Sequence, residues 1–345
     1  MNNKERIEAL VKVAKRIDEF LHAFYDDENH EFIKILQKAQ QLNPWFTFEE
    51  QKRAFHGILH LLNEDPLNEW IAAYPKIKSN NSPKTVGVIM AGNIPMVGFH
   101  DLLCVLLSGN RVQAKCSADD SVLLPWFAKL LVEANEEFGK SISFTERISG
   151  VDAVIATGSN NSARYFEYYF GKYPHIIRNN RNGIAILTGN ESAEELKLLG
   201  NDIFSYFGMG CRNVTKLYVP DNYNFNQFFE AMSGFSEVMQ HNKYMNNFDY
   251  HNALLMMNLE KFLTNNFLIV RHHASFSSPV SVIHYEFYQD IKKLERDLDH
   301  KKEFIQCIVS AHPHPGWIGF GQSQLPGLTD YADGIDTMRF LEELK

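Results

Sequence analysis

Apolar residues recur at three- and four-residue steps near the start of the chain: Ile7, Leu10, Val11, Ala14, Ile17, Leu21 and Phe24. That spacing lines one face of a helix, so the opening segment is predicted helical. After Pro44, Thr47 with Glu50 three positions on forms a capping box, and Phe55, Ile58 and Leu62 carry a second amphipathic helix. The polar stretch KIKSNNSPK, 76–84, reads as a loop.

From Thr85 the texture changes to short apolar runs alternating with helical ones. TVGVIM, RVQAK and VDAVIATG are predicted strands; HDLLCVLLSGN, SVLLPWFAKLLVEAN and NSARYFEYYFGK are predicted helices. Such alternation indicates a parallel, doubly wound α/β sheet with ligands at the strand ends. No GxGxxG follows any of these strands, so the usual dinucleotide fingerprint is missing. A second α/β unit begins near Asn182 with the strand GIAILTG, followed by a helix that Ser192 and Glu195 cap. Then come the strand VTKLYVP, helices between Phe225 and Met257, the strands FLIVRHH and VSVIHYEF, a charged helix, and the strand EFIQCIVS. The glycine- and proline-rich FGQSQLPGLTDYADG is expected to be an ordered loop over a site. The expected organisation is therefore a helical segment (1–84), a nucleotide-binding α/β domain (85–181), a catalytic α/β domain (182–320) and a C-terminal loop and tail (321–345).

Length and composition narrow the function classes. A chain of 345 residues, 45% hydrophobic and 22% charged, is an ordinary globular composition for two packed units. A net charge of −8 with no basic aromatic stripe argues against nucleic-acid binding. No apolar run reaches the length of a membrane span, and the charged N-terminus lacks the apolar core of a signal peptide. Four cysteines without CxxC spacing (Cys104, Cys116, Cys211, Cys307) suit a reducing cytoplasm. His272-His273 and the HPHPG of 312–316 lack a ligand set, so no metal site is expected.

The chemistry concentrates in YFGMGCRNV, 206–214. Gly208 and Gly210 strip side-chain cover from the approach to Cys211, and Arg212 places a cation beside it, the local pattern of an activated thiol. A cysteine that merely ends a helix gives the same local pattern. A thiol of pKa ~8.5 is only a few per cent ionised at neutral pH, and raising that to half needs roughly 2 kcal/mol.

Three stretches in order resemble the aldehyde dehydrogenase superfamily: VIMAGNIPMVGFHDLLCVLLSGNRVQAKCSADD (88–120), IATGSNNSARYF (155–166) and the cysteine turn. The superfamily's water-activating glutamate is missing from the matching RNNRNGIAIL (178–187), and its ribose-binding glutamate is matched by Ser275 in ASFSSPVSVIHY. With the short chain and the FGQSQLPGLTDYADG ending, these departures resemble the LuxC-like acyl-CoA reductases related to the fatty-acid reductase of bacterial luminescence. The resemblance implies reduction of a long-chain acyl-CoA to aldehyde by NADPH through an acyl-cysteine on Cys211. It implies Asn93 as the oxyanion donor, although an asparagine before Pro95 also suits the turn alone. Lys115 is implied to bind the adenosine ribose, and Ala118 replaces a carboxylate that would repel a 2′-phosphate, though Asp119 and Asp120 are close by. Gly158 and Ser159 are implied to form the pyrophosphate turn at a helix N-terminus, where a plain helix cap is the other reading. A homodimer is implied as well. Two other functions stay open: an NAD-dependent aldehyde dehydrogenase whose base is Glu191, Glu194 or Glu195, and an acyl-cysteine carrier or acyltransferase without hydride transfer.

Overall fold

The computed structural model describes residues 1–23, 30–79 and 82–344; Phe24 of the predicted apolar stripe and Asn80 and Asn81 of the predicted loop lie outside them. By compactness the chain divides into one unit of residues 1–179 and 326–345 and another of residues 180–325.

The first unit opens with α1 (Asn3–Ala23), α2 (Glu31–Leu42), α3 (Phe48–Leu61) and α4 (Glu64–Ala72). In α1 the predicted stripe is the buried one: Ile7, Leu10, Ala14, Ile17 and Leu21 all face the core, with Val11 packed against its margin. Thr47 caps α3 by accepting the Glu50 N–H. There follow β1 (Thr85–Ile89), α5 (Phe99–Leu107), β2 (Arg111–Lys115), α6 (Leu123–Ala134), β3 (Ile142–Phe144), β4 (Ala153–Thr157), α7 (Asn160–Phe170) and β5 (His175–Arg178). The sheet is all parallel in the order β3-β2-β1-β4-β5. The N-terminal helices share its core: Leu10, Phe32, Phe55 and Trp70 belong to one cluster with Val86, Val88, Leu103 and Phe127.

The second unit holds β6 (Asn182–Ile186), α8 (Ala193–Phe204), β7 (Val214–Pro220), α9 (Asn226–Met232), α10 (Asn242–Met257), β8 (Leu263–Thr264), β9 (Ile269–His272), β10 (Val282–Tyr288), α11 (Ile291–Asp299) and β11 (Ile305–Ser310). Its sheet runs β11-β6-β7-β10-β9-β8, parallel except for the short β8 edge. Ser192 and Glu195 form the reciprocal capping box predicted for α8. An α/β architecture with two largely parallel sheets and N-terminal helices is what the sequence pattern indicated.

The chain then returns to the first unit and ends with α12 (Thr337–Glu342), whose Met338 and Leu341 enter the first core. A polar network anchors this return. Tyr331 accepts from the Trp70 indole (2.8 Å) and meets the Tyr74 hydroxyl (2.7 Å), while Arg178 donates to the Thr337 hydroxyl (2.9 Å). Arg178 is also ion-paired with Asp101, and both side chains are buried (4% and 9% exposed). Asp101→Ala strands the guanidinium in the core, so a loss of about 3–5 kcal/mol is expected by chemical denaturation. Replacing both partners with apolar residues of similar volume recovers most of it, which a double-mutant cycle checks.

Candidate active site

In the second unit, α8 runs antiparallel to β6 and delivers the chain back to the amino end of β7 through the cysteine turn. Three consecutive residues there are left-handed: Tyr206 (φ 52°), Phe207 (φ 55°) and Gly208 (φ 78°). Glycine takes that region freely, whereas two buried aromatic residues in it store roughly 1–3 kcal/mol each. Packing holds them: Phe207 lies on the His241 ring (4.4 Å between centroids) and near Tyr244 (6.2 Å). Cys211 follows, partly buried, on the turn that the Asn213 N–H closes onto the Gly210 carbonyl (3.0 Å).

The turn is tied on two sides. Arg212, which the sequence set beside the sulfur, donates its Nε–H to the Ser323 carbonyl (2.5 Å). Asp202, fully buried at the end of α8, accepts from the backbone N–H groups of Gly321 (2.6 Å) and Ser323 (2.9 Å). Burial pushes the Asp202 carboxyl up, and those donors oppose the shift. The loop expected from FGQSQLPG is thus ordered against the cysteine turn. On the other side Gly183 donates its N–H to Asn213 (3.0 Å), and the β-ladder slips on both of its flanks, against β7 and against β11. Cys307, on β11 opposite Gly183, points its thiol at the Arg212 carbonyl (3.6 Å). Sequence reasoning missed Asp202, Asn213 and Cys307, because their roles depend on bonds to α8, the 321–323 loop and the cysteine turn that only the fold brings together.

The carboxylates considered as water-activating bases sit elsewhere. Glu191 accepts from the Thr188 N–H (2.5 Å), the Thr188 hydroxyl (2.8 Å) and the Gly189 N–H (3.0 Å). Glu195 is engaged in the capping box, and Glu194 lies in the same first turn of α8. Cys211 lies beyond the far end of that helix, whose 12 residues span about 18 Å. The strand entry that does lie beside the turn, Asn180 to Gly183, carries no carboxylate. Ser275 is exposed, its hydroxyl donating to the Ser277 carbonyl (2.9 Å). Its loop hangs from the buried Lys216 ammonium, which donates to the Ala274 carbonyl (2.6 Å), and from Thr215, which donates to that of Phe276 (2.7 Å).

In the first unit the other candidates collect on one edge. Asn93 is exposed in the turn after β1. That turn is held by Asp120, which accepts the N–H of left-handed Met96 (2.7 Å); burial pushes this carboxyl up to about 6. Lys115 ends β2 and donates to the Glu146 carbonyl (2.8 Å). Ala118 is exposed and opens the short helical turn that Ser117 caps. Gly158 and Ser159 follow β4, and Ser159 caps α7 by accepting the Ser162 N–H (3.2 Å). A Cβ on Gly158 would lie 2.9 Å from that of Ser162, so the backbone passes close over the helix start. Asn93, Lys115, Ala118, Gly158 and Ser159 therefore share the carboxyl edge of one parallel sheet. The order reverses between β1 and β4, the switch point at which such sheets take ligands. An ammonium and a helix N-terminus on that edge suit a phosphorylated ligand.

Among the described residues no group of three or more His, Cys, Asp or Glu side chains could hold a metal, and no helix is long and apolar enough to cross a membrane. Of the histidines set aside above, His314 stacks on Trp317 (4.3 Å), and His273 packs against His284 (4.4 Å) with its ring tilted.

Comparison with known proteins adds a family and a fold. The family model described as acyl-CoA reductase (LuxC) matches residues 15–242. No curated protein matches significantly. Among solved structures, aldehyde dehydrogenase 21 from Physcomitrella patens, in complex with the reaction product succinate, superposes with a TM-score of 0.65 at 12% identity, covering 99% of this chain and 84% of that one. The aldehyde dehydrogenase KauB from Pseudomonas aeruginosa gives 0.63 at 14% identity, covering 94% and 80%. Glyceraldehyde-3-phosphate dehydrogenase GapN from Methanocaldococcus jannaschii, complexed with NADP, gives 0.61 at 13% identity, covering 90% and 81%. The fold is that of the aldehyde dehydrogenases.

Proposed function

The chain belongs to the acyl-CoA reductase (LuxC) family, and from that premise we propose that it reduces a long-chain acyl-CoA to the aldehyde with NADPH through an acyl-cysteine on Cys211. Membership makes it an oxidoreductase acting on acyl-CoA or aldehyde; the nucleophile, the cofactor and the chain length are the proposal. The observation that carries it is a partly buried thiol on a braced turn whose neighbouring strand entry lacks a carboxylate.

In the proposed reaction the Cys211 thiolate attacks the thioester carbon, the C–S bond to CoA breaks, and the CoA thiolate leaves with the bonding pair. The Asn93 amide is assigned to the tetrahedral oxyanion, a contribution typically worth about 3 kcal/mol. The nicotinamide cofactor, when bound, supplies the hydride that reduces the acyl group. Collapse of the reduced adduct releases aldehyde and returns the thiolate. With no carboxylate on the strand entry beside the turn to activate water, the acyl-enzyme outlives hydrolysis and waits for reduction.

The first unit's edge fits such a cofactor. Lys115 would hold the adenosine ribose, and the α7 N-terminus at Gly158 and Ser159 the pyrophosphate. Ala118 leaves no carboxylate against a 2′-phosphate. Of its two acidic neighbours, Asp120 is turned inward onto Met96, leaving Asp119 exposed. The missing carboxylate at 118 and the inward turn of Asp120 favour NADPH, against the exposed Asp119. Lys115→Ala is expected to raise the KM for NADPH about 10-fold or more, the worth of one charge-assisted hydrogen bond, with kcat nearly unchanged. Steady-state titration of the cofactor checks this. A cytoplasmic homodimer completes the reading.

The test uses the protein with a long-chain acyl-CoA. Intact mass without cofactor should show one acyl group on Cys211, and added NADPH should be consumed in step with aldehyde release. Acylation without NADPH consumption points to a carrier or acyltransferase. NAD reduction with aldehyde and water alone points to a hydrolytic dehydrogenase. Either outcome overturns the proposal.

A further inference from the structure

Two residues beyond the thiol lies an asparagine whose side chain is spent wholly on the backbone of the turn. Asn213 is completely buried. Its amide donates to the carbonyls of Ser205 (2.8 Å) and Asp202 (3.0 Å), and its carbonyl oxygen accepts the Gly210 N–H (2.8 Å). The backbone of the same residue bonds Gly210 on one side and Gly183 on the other (both 3.0 Å). Side chain and backbone of this one residue therefore join the last turn of α8, the entry of β6 and the peptides on both sides of Gly210, the second of which leads into Cys211.

That peptide needs a mount. The left-handed Tyr206 and Phe207 are sprung against their preferred backbone, and the segment between them and the thiol is five residues or fewer. The Gly210 N–H faces the Asn213 side-chain oxygen, which fixes the plane of the Met209–Gly210 peptide, and the Asn213 N–H on the Gly210 carbonyl fixes that of the next peptide, which leads into Cys211. The same asparagine grips the carbonyl of Asp202, whose carboxylate holds Gly321 and Ser323. Arg212 closes the circuit onto the Ser323 carbonyl. The thiol turn and the 321–323 loop so share one support.

We propose that Asn213 is a positioning residue for Cys211, setting the direction of its sulfur through the Gly210 peptide and coupling it to the 321–323 loop. The role rests on Cys211 being the nucleophile. Asn213→Asp keeps the shape and the acceptor for Gly210 but loses both donors. Where that variant does not fold, Asn213→Ser retains one donor. The measurements are the rate of Cys211 alkylation by iodoacetamide against pH, read by peptide mass, together with kcat and KM for acyl-CoA below the melting temperature.

The expected result is at least about a 10-fold fall in both kcat and the alkylation rate, with a displaced pH midpoint and an acyl-CoA KM within about twofold, as a misplaced nucleophile behaves. A lower melting temperature with unchanged alkylation profile and kcat would make Asn213 a folding staple only and overturn the proposal. Wild-type protein that takes no acyl group at Cys211 would instead fail the nucleophile assignment, a separate outcome.

Discussion

Cys211→Ala is expected to lower acyl-CoA reduction at least ~10³-fold, as loss of a covalent nucleophile does. The nicotinamide absorbance trace should flatten, and the acylated mass should vanish with it. Stability should change by no more than about 1 kcal/mol, since only one partly buried sulfur is removed. The other thiols are poor substitutes. Cys104 is sealed in the core, and burial pushes its thiol well up. Burial, aided by Asp120, pushes the Cys116 thiol up to about 12. Cys307 is turned onto the Arg212 carbonyl. A variant that still accumulates one acyl group, on any of these three, would sink the assignment of Cys211.

The second large effect is expected at a residue with no side chain. A Cβ on Gly183 would stand 2.5 Å from the Arg212 carbonyl oxygen and 2.7 Å from that of Asn213. Both atoms are backbone, so neither can rotate away, and the thiol turn itself must give. Gly183→Ala should therefore destabilise the protein by about 1–3 kcal/mol, as overpacking does. It should also cut kcat by about 100-fold through displacement of the sulfur by something like 1 Å. Differential scanning calorimetry and turnover at a temperature well below the transition separate the two. A variant that loses stability but keeps wild-type turnover per folded molecule would show that β6 does not support the site.

Periodicity made most of the fold legible. The α1 stripe, the strands β1, β2, β4, β6, β7, β9, β10 and β11, and the α8 capping box all rest on local signals that tertiary contacts reinforce. Missed were β3, β5 and β8, of three, four and two residues, too short for an alternation to register. The helices α2 and α4 and the return of the tail to the first core were missed too. Trp70, Tyr74 and Tyr331 are ordinary aromatics in the sequence and become an anchor only once about 260 residues of chain have been folded between them. At the candidate site the thiol and its glycines could be read directly, because a bare turn is a local property. The braces around it could not. Asp202 reads as one more helical carboxylate, and only its bonds to Gly321 and Ser323 separate it from Glu194.

The path of the chain also bears on its biosynthesis. The second unit is one continuous segment, 180–325, whereas the first is assembled from both ends and needs Met338 and Leu341 for its core. On a ribosome the later-made body can finish folding while the earlier-made one still lacks its closing piece, reversing the usual amino-to-carboxyl order of maturation. Until 326–345 has been made and docked, the nascent chain thus leaves the apolar seat of Met338 and Leu341 uncovered.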